Sequence, residues 1–299
     1  MSIYMETNIL DKNTNDRKKI ALLLSGNLRS FYNEKFNIYK KYSELLIEYD
    51  IDVFVYVDNN DFYYEGTQYI SSKNEKFEVI TANNAKSVKR ISDNIKKIDY
   101  DKSIKIINKI LNNVFGTNLK SIHIDDYDPN IFDKIFIKEN KYHNALLNFK
   151  SSKNRKIALL SQFYKLYKCY NLMKEYEFKN KINYEIVIKS RFDGWLNLNN
   201  TNILNLDFEK KIYCQRIDKY DHITDWWAIG DSSSMSIYCQ YYLNISPNLH
   251  DEIFCSNRIL KGEEWILDSA EIGLTYLLDS NNIKTDSKHS INIRIQKSY

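Results

Sequence analysis

The chain has 299 residues and a mass of 35.7 kDa, enough for one large domain or two ordinary ones. Its 43% hydrophobic and 27% charged residues, mean hydropathy of −0.53, 7 Gly and 2 Pro exclude collagen-like, Pro/Gly-rich disordered and multi-spanning membrane classes. The formal charge of +4, from 43 basic against 39 acidic residues scattered along the chain, is too small a surplus to announce a nucleic-acid partner.

Asn, Ile, Lys and Tyr are abundant while Gly and Pro are scarce, the bias of codons drawn from an A/T-rich genome. The Asn runs are therefore read as genomic drift rather than as a prion-like tract. Cys169, Cys214, Cys239 and Cys255 lie far apart with no C-x-x-C spacing, so free thiols in a reducing compartment are expected. No apolar run approaches the roughly 18–20 residues of a membrane span, and Met1 to Lys19 is too polar for a secretory signal. A cytoplasmic protein is expected, or one peripheral to a membrane or virion.

Residues 1–17 lack periodicity and read as a flexible extension. Order begins at Lys18: the apolar run Ile20-Ala21-Leu22-Leu23-Leu24 ends at Ser25-Gly26, as a strand buried on both faces would. A helical stripe follows on Phe36, Tyr39, Ser43, Leu46 and Ile47. Ile51–Val57 is a second strand that stops at Asp58-Asn59-Asn60, and strand, helix, strand in this span is a βαβ unit with parallel pairing. Phe77–Ile80 is the candidate third strand, and Ile104, Ile107, Leu111 and Val114 mark a helix over Ser103–Val114.

Leu119–Asn154 is polar with scattered aromatics and reads as an insertion or loop-rich excursion. Ile157–Tyr176 is the longest periodic segment and predicts a well-buried helix, leading into a central strand over Tyr184–Ser190. Within that helix Tyr164-Lys165-Leu166-Tyr167-Lys168 superficially resembles a nucleic-acid surface, but its spacing buries the tyrosines along a core face. Lys211–Arg216 and Ile223–Ile229 are further strands, Ser232–Ile245 and Asp268–Leu278 helices, and Ile291–Ile295 an alternating edge strand. Alternating strands and helices over most of the chain predict one α/β domain with a mostly parallel sheet.

In such a sheet, ligands collect outside the carboxyl ends of the strands. Three polar groups fall there. In Ser25-Gly26-Asn27-Leu28-Arg29, Gly26 permits close backbone approach and Arg29 offers a bidentate fork to phosphate; the alternative is an ordinary βα turn. Asp58 is placed to bond a ribose or base edge, or is simply part of a polar turn. Lys189-Ser190-Arg191-Phe192-Asp193 pairs a cation with a carboxylate able to place a divalent ion beside a diphosphate; the alternative is a local ion pair.

Further on, Asp225 precedes Trp226-Trp227, which on a regular strand point to opposite faces, one into the core and the other free to stack on a sugar; the alternative is that both sit in the core or at a subunit contact. Glu271 lies three residues after Asp268 in a capping-box pattern, and is otherwise a candidate base for an acceptor hydroxyl. The five His are isolated, and neither a P-loop, a G-x-G-x-x-G fingerprint nor a G-x-S-x-G elbow occurs.

Taken in order, Leu23–Phe31, Ile51–Val55, Ser161–Cys169 and Tyr184–Asp193 are similar to glycosyltransferases found in surface-polysaccharide loci and in large DNA viruses. That group's pattern is an LSG-x-x-R start, a C-D-[VI]-F strand, a Q-x-Y helix, a K/R-x-R-x-D strand end, N-D-Q-F-x-[IV]-G and a P-E-x-x-L helix. The resemblance spans roughly Lys18 to Ile283. It implies a GT-A-like fold, a Rossmann-like nucleotide half (about 18–193) fused to an acceptor half (about 194–299) in one continuous sheet.

It also implies that Ser25, Gly26 and Arg29 bind the nucleotide of a sugar donor with Asp58 near its base or ribose. Gln162 and Tyr164 would line the donor pocket. Asp193 corresponds to the last acid of a D-x-D motif holding Mn²⁺ or Mg²⁺ and the donor diphosphate, while Asp225 and Glu271 correspond to acceptor-side acids. Arg191 replaces the first D-x-D acid, Asp225-Trp226-Trp227 lacks the usual Asn-Asp-Gln, and Ala270 stands where Pro is usual. The expected activity is transfer of a sugar from a nucleotide-diphosphate sugar to a glycan or protein acceptor; the alternative is a catalytically silent binding or assembly module on the same scaffold.

Overall fold

The computed structural model describes residues 18–26, 28, 38–58, 69–71, 77–78, 88–90, 100–126, 153–192, 194–198, 201–217, 222–244, 270–287 and 291–295. The N-terminal extension, Arg29, Asp193, Cys255 and Asp268 lie outside these residues. The chain runs β1 (Ile20–Gly26), α1 (Ile38–Glu48), β2 (Ile51–Asp58), three short strands β3 (Tyr69–Ser71), β4 (Phe77–Glu78) and β5 (Val88–Arg90), then α2 (Tyr100–Phe115) and β6 (Leu119–Asp125). There follow α3 (Lys153–Asn180), β7 (Ile186–Ser190), β8 (Gly194–Asn197), β9 (Lys211–Ile217) and β10 (His222–Asp231). The last elements are α4 (Ser232–Cys239), α5 (Tyr241–Asn244), α6 (Ala270–Ser280), β11 (Lys284–Asp286) and β12 (Asn292–Ile295).

One seven-stranded sheet organises the molecule, in the order β11-β9-β10-β7-β1-β2-β6. β1 pairs in parallel with both β2 and β7, and β2 in parallel with β6. β10 runs antiparallel to its neighbours β7 and β9, and β11 is parallel to β9. The fold is thus α/β with a mostly parallel mixed sheet. The continuous apolar run of β1 is explained by burial on both faces: Ile20, Leu22 and Leu24 face one core with α1 and α2, Ala21 and Leu23 the other with α3, α4 and α6. All five are 2% exposed or less, and each such leucine contributes about 1.5–3 kcal/mol.

Two expectations change. The third strand of the parallel half is Leu119–Asp125, inside the stretch expected to be loop-rich, while Phe77–Glu78 pairs with β3 in a separate three-stranded sheet. An edge strand with Lys, Ser, His and Asp on it carries little apolar signal, which is why the stretch reads as irregular. Of the helical stripe read in the sequence, Phe36 lies outside the described residues, Leu46 packs partly buried against the core, and Ile47 is 86% exposed; the buried positions are Tyr42 and Leu45 of α1 and Tyr49 just past its end. Ile291–Ile295 does contribute a strand, β12, but it pairs with β8 apart from the main sheet.

Helix junctions on the α3 side are close. A Cβ on Gly273 would lie 2.0 Å from the Tyr241 hydroxyl, and the Tyr241 ring is fixed edge-on against Phe163 at 4.7 Å. Gly273→Ala should therefore cost about 1–3 kcal/mol, the usual penalty of overpacking, read as a fall in melting temperature. A variant that melts like the wild type would show that α6 and α5 are not held at this separation.

Candidate functional site

β7 and β2 lie on opposite sides of β1, and in open α/β sheets ligands bind outside the carboxyl ends of strands at such a switch point. Gly26 closes β1 there with φ +112, a conformation that favours glycine and leaves space where a side chain would stand. Ser25 beside it is half-buried. Because β10 is antiparallel, its first residues, His222 to Asp225, come to this same edge.

The exit of β7 is pinned from α1. The Tyr42 hydroxyl lies 2.7 Å from the Arg191 carbonyl, 3.0 Å from the Gly194 carbonyl and 2.9 Å from Ser190 Oγ. With one proton to give, it donates to a carbonyl and can accept from the serine. The backbone on either side of Phe192 is thereby tied to a buried tyrosine, and Arg191 emerges partly buried at the end of the sheet. Tyr42 was missed in the sequence; its signal is the Tyr42, Leu45, Tyr49 spacing on one face of α1.

Asp58, the last residue of β2, is 6% exposed and its Oδ2 accepts a hydrogen bond from Lys165 Nζ of α3. Lys165 is itself 4% exposed. The basic stretch of α3 is therefore split: Lys165 is buried against the sheet while Lys168 lies over the Tyr164 ring at 5.2 Å. Tyr164 is buried edge-on to Tyr56 at 6.3 Å and to Tyr242 at 5.3 Å. It faces the core rather than an open pocket, whereas Gln162, two residues earlier on the helix, is only half-buried.

One strand over, at the end of β6, Asp125 is fixed from two sides. Tyr56 donates its hydroxyl to Oδ2 at 2.7 Å, and His123 Nε2 donates to Oδ1 at 2.8 Å. The His123 ring stacks on Tyr56 with centroids 4.8 Å apart and planes 17° from parallel. Burial, then the Asp125 carboxylate, push the Tyr56 phenol far above its usual range.

On β10, Asp225 is 5% exposed and its Oδ2 has no hydrogen-bond partner among the described residues; the same holds for Thr224 Oγ1 and the Tyr238 hydroxyl of α4. Burial first, and the Asp225 charge second, hold the Tyr238 phenol well above its normal range, and Glu271 adds to this. Glu271 lies partly exposed in the first turn of α6. That helix is fastened to β10 by Thr275, whose Oγ1 donates to the Glu271 carbonyl at 2.7 Å and accepts from Ile223 N–H at 3.1 Å.

The two tryptophans do not divide between faces. A register shift lies between Ile223 and Ala228, and Trp226 and Trp227 both pack on the core shared with α1 and α2. Trp227 is 0% exposed and is not a sugar-stacking platform; Trp226 is partly exposed. Arg29 and Asp193, the expected phosphate and metal contacts, lie outside the described residues. Among the described residues no three His, Cys, Asp or Glu side chains gather as a metal site, and Cys169, Cys214 and Cys239 are buried free thiols.

These features define an α/β protein whose polar side chains gather along the carboxyl edge of one mixed sheet. No described helix is long and apolar enough to cross a membrane. A family model for a domain of unknown function, DUF7796, matches residues 119–260, a stretch that begins at β6 and takes in α3, β7 and β10. No curated protein matches the chain.

Proposed function

We propose that the chain is a GT-A-like glycosyltransferase that moves a sugar from a nucleoside-diphosphate sugar to a glycan or protein acceptor. The observation that carries this is the shared edge: a glycine-ended strand, a cation after β7 and a buried acid at the start of antiparallel β10 all stand at the carboxyl end of one continuous sheet. A parallel half running without a break into a mixed half also agrees with the fold that the motif resemblance implies.

In the proposed reaction the acceptor oxygen attacks the anomeric carbon and the bond from that carbon to the diphosphate oxygen breaks. The nucleoside diphosphate leaves with the electron pair, and the acceptor proton passes to Asp225 or Glu271. Arg191, together with Arg29, three positions after the end of β1 in the sequence, offsets the charge that grows on the leaving group. Gly26 leaves its backbone open to the diphosphate.

For Mn²⁺ or Mg²⁺, the described residues offer no carboxylate pair at the end of β7, where Arg191 takes the place of one acid. The described donor set does not fit the ion.

The test is calorimetry and thermal shift with UDP, GDP, CMP, dTDP and their sugars, each with Mn²⁺, Mg²⁺ and EDTA. A nucleotide at a hundredfold its dissociation constant should stabilise the chain by about 2.7 kcal/mol. Failure of every nucleotide under every condition would reject the transferase assignment in favour of a silent binding scaffold.

A further inference from the structure

Asp58 is the acid that the motif resemblance places beside the nucleoside, yet it is buried and bonded to Lys165. An acid that stays partly open at this end of the sheet is its register partner, Asp125, whose side chain is 27% exposed. Tyr56 and His123 each occupy one oxygen of Asp125 and leave each oxygen a further lone pair, so a rigid, preoriented acceptor faces outward. His123 beside it is 50% exposed, one ring face backed by Tyr56 and β6 at the rim of the sheet. A backed, half-open aromatic ring next to a fixed carboxylate is a platform for a planar ring that carries N–H or O–H donors.

We infer that His123 and Asp125 form the nucleoside subsite of the donor, the base stacking on the imidazole and the base edge or ribose hydroxyls bonding to Asp125. This rests on the transferase proposal. The spacing agrees: at about 4.8 Å per strand, β6 lies about 10 Å from β1, so a diphosphate over Gly26 and Arg191 leaves its nucleoside reaching across β2 toward β6. It also gives a role to the outermost strand, which the proposed chemistry does not use.

The experiment is calorimetric titration of the full chain with UDP, GDP, CMP and dTDP, and separately with inorganic pyrophosphate, for the wild type, His123→Ala, His123→Tyr and Asp125→Asn. His123 is half-exposed, so its variants should melt like the wild type. His123→Ala should weaken the tightest nucleotide tenfold or more. His123→Tyr, which keeps an aromatic platform, should restore most of that affinity, Asp125→Asn should weaken it, and pyrophosphate should bind all four alike. Unchanged nucleotide affinity in His123→Ala, or equal loss of nucleotide and pyrophosphate, overturns the subsite while leaving the transferase assignment standing. If no nucleotide binds the wild type, both fall.

Discussion

Asp225→Asn should abolish most turnover while leaving the fold intact and nucleotide affinity within about twofold. Removing a general base costs about 10²–10⁴ in rate. What makes Asp225 the better candidate for the base is its position: 5% exposed, with one carboxylate oxygen lacking any partner among the described residues. A buried polar atom without a partner costs about 1–3 kcal/mol, and more when it is charged. A neutral amide of the same shape lessens that cost, so the variant should melt at or slightly above the wild-type temperature, by about 2 °C for each kcal/mol gained.

Loss of rate together with retained or raised stability is the mark of a group held in an unfavourable place for function. The opposite pattern, lower melting and undiminished turnover, would make Asp225 a structural acid and move the base to Glu271. Glu271, partly exposed on α6 rather than buried in the sheet, is the natural second substitution.

The Asp58–Lys165 pair should show the largest effect on stability. Its side chains are only 8% and 5% exposed, so removing one partner takes the buried counter-charge from the other where solvent screens it little. Lys165→Met should cost about 3–5 kcal/mol, roughly 6–10 °C in melting temperature for a chain of this size. The double variant Asp58→Leu with Lys165→Met should recover most of the loss, because two apolar groups restore packing without stranding a charge. A single variant melting within about 2 °C of the wild type would mean that water already reaches the pair.

The same measurement separates two roles for Asp58. If it fastens β2 to α3, as the geometry indicates, substitutions should change melting before they change nucleotide affinity. An affinity change without a stability change would return the nucleoside to Asp58.

The three central parallel strands of the sheet are legible in the sequence alone. β1, β2 and β7 are continuous apolar runs because each is covered on both faces, and such runs are visible without knowing the neighbours. The strand ends were equally legible, since Gly26, Asp58 and Arg191 stop those runs, and so was the broad helix α3.

Tertiary structure decided what depends on partners distant in the chain. Lys165 reads as one of several surface lysines until its partner, 107 positions away, is brought to it; the local signal was its place one turn before buried Cys169. β6 carries few apolar residues because it closes the sheet at an edge, and only pairing with β2 makes Leu119–Asp125 a strand and Asp125 the neighbour of Asp58. With the shift within β10, Trp226 and Trp227 do not follow the two-residue alternation from which one core-facing and one sugar-facing tryptophan were expected, and Trp227 lies wholly in the core. Periodicity reports how a segment is covered along its own length; register, bulges and buried ion pairs are set by the segment it meets.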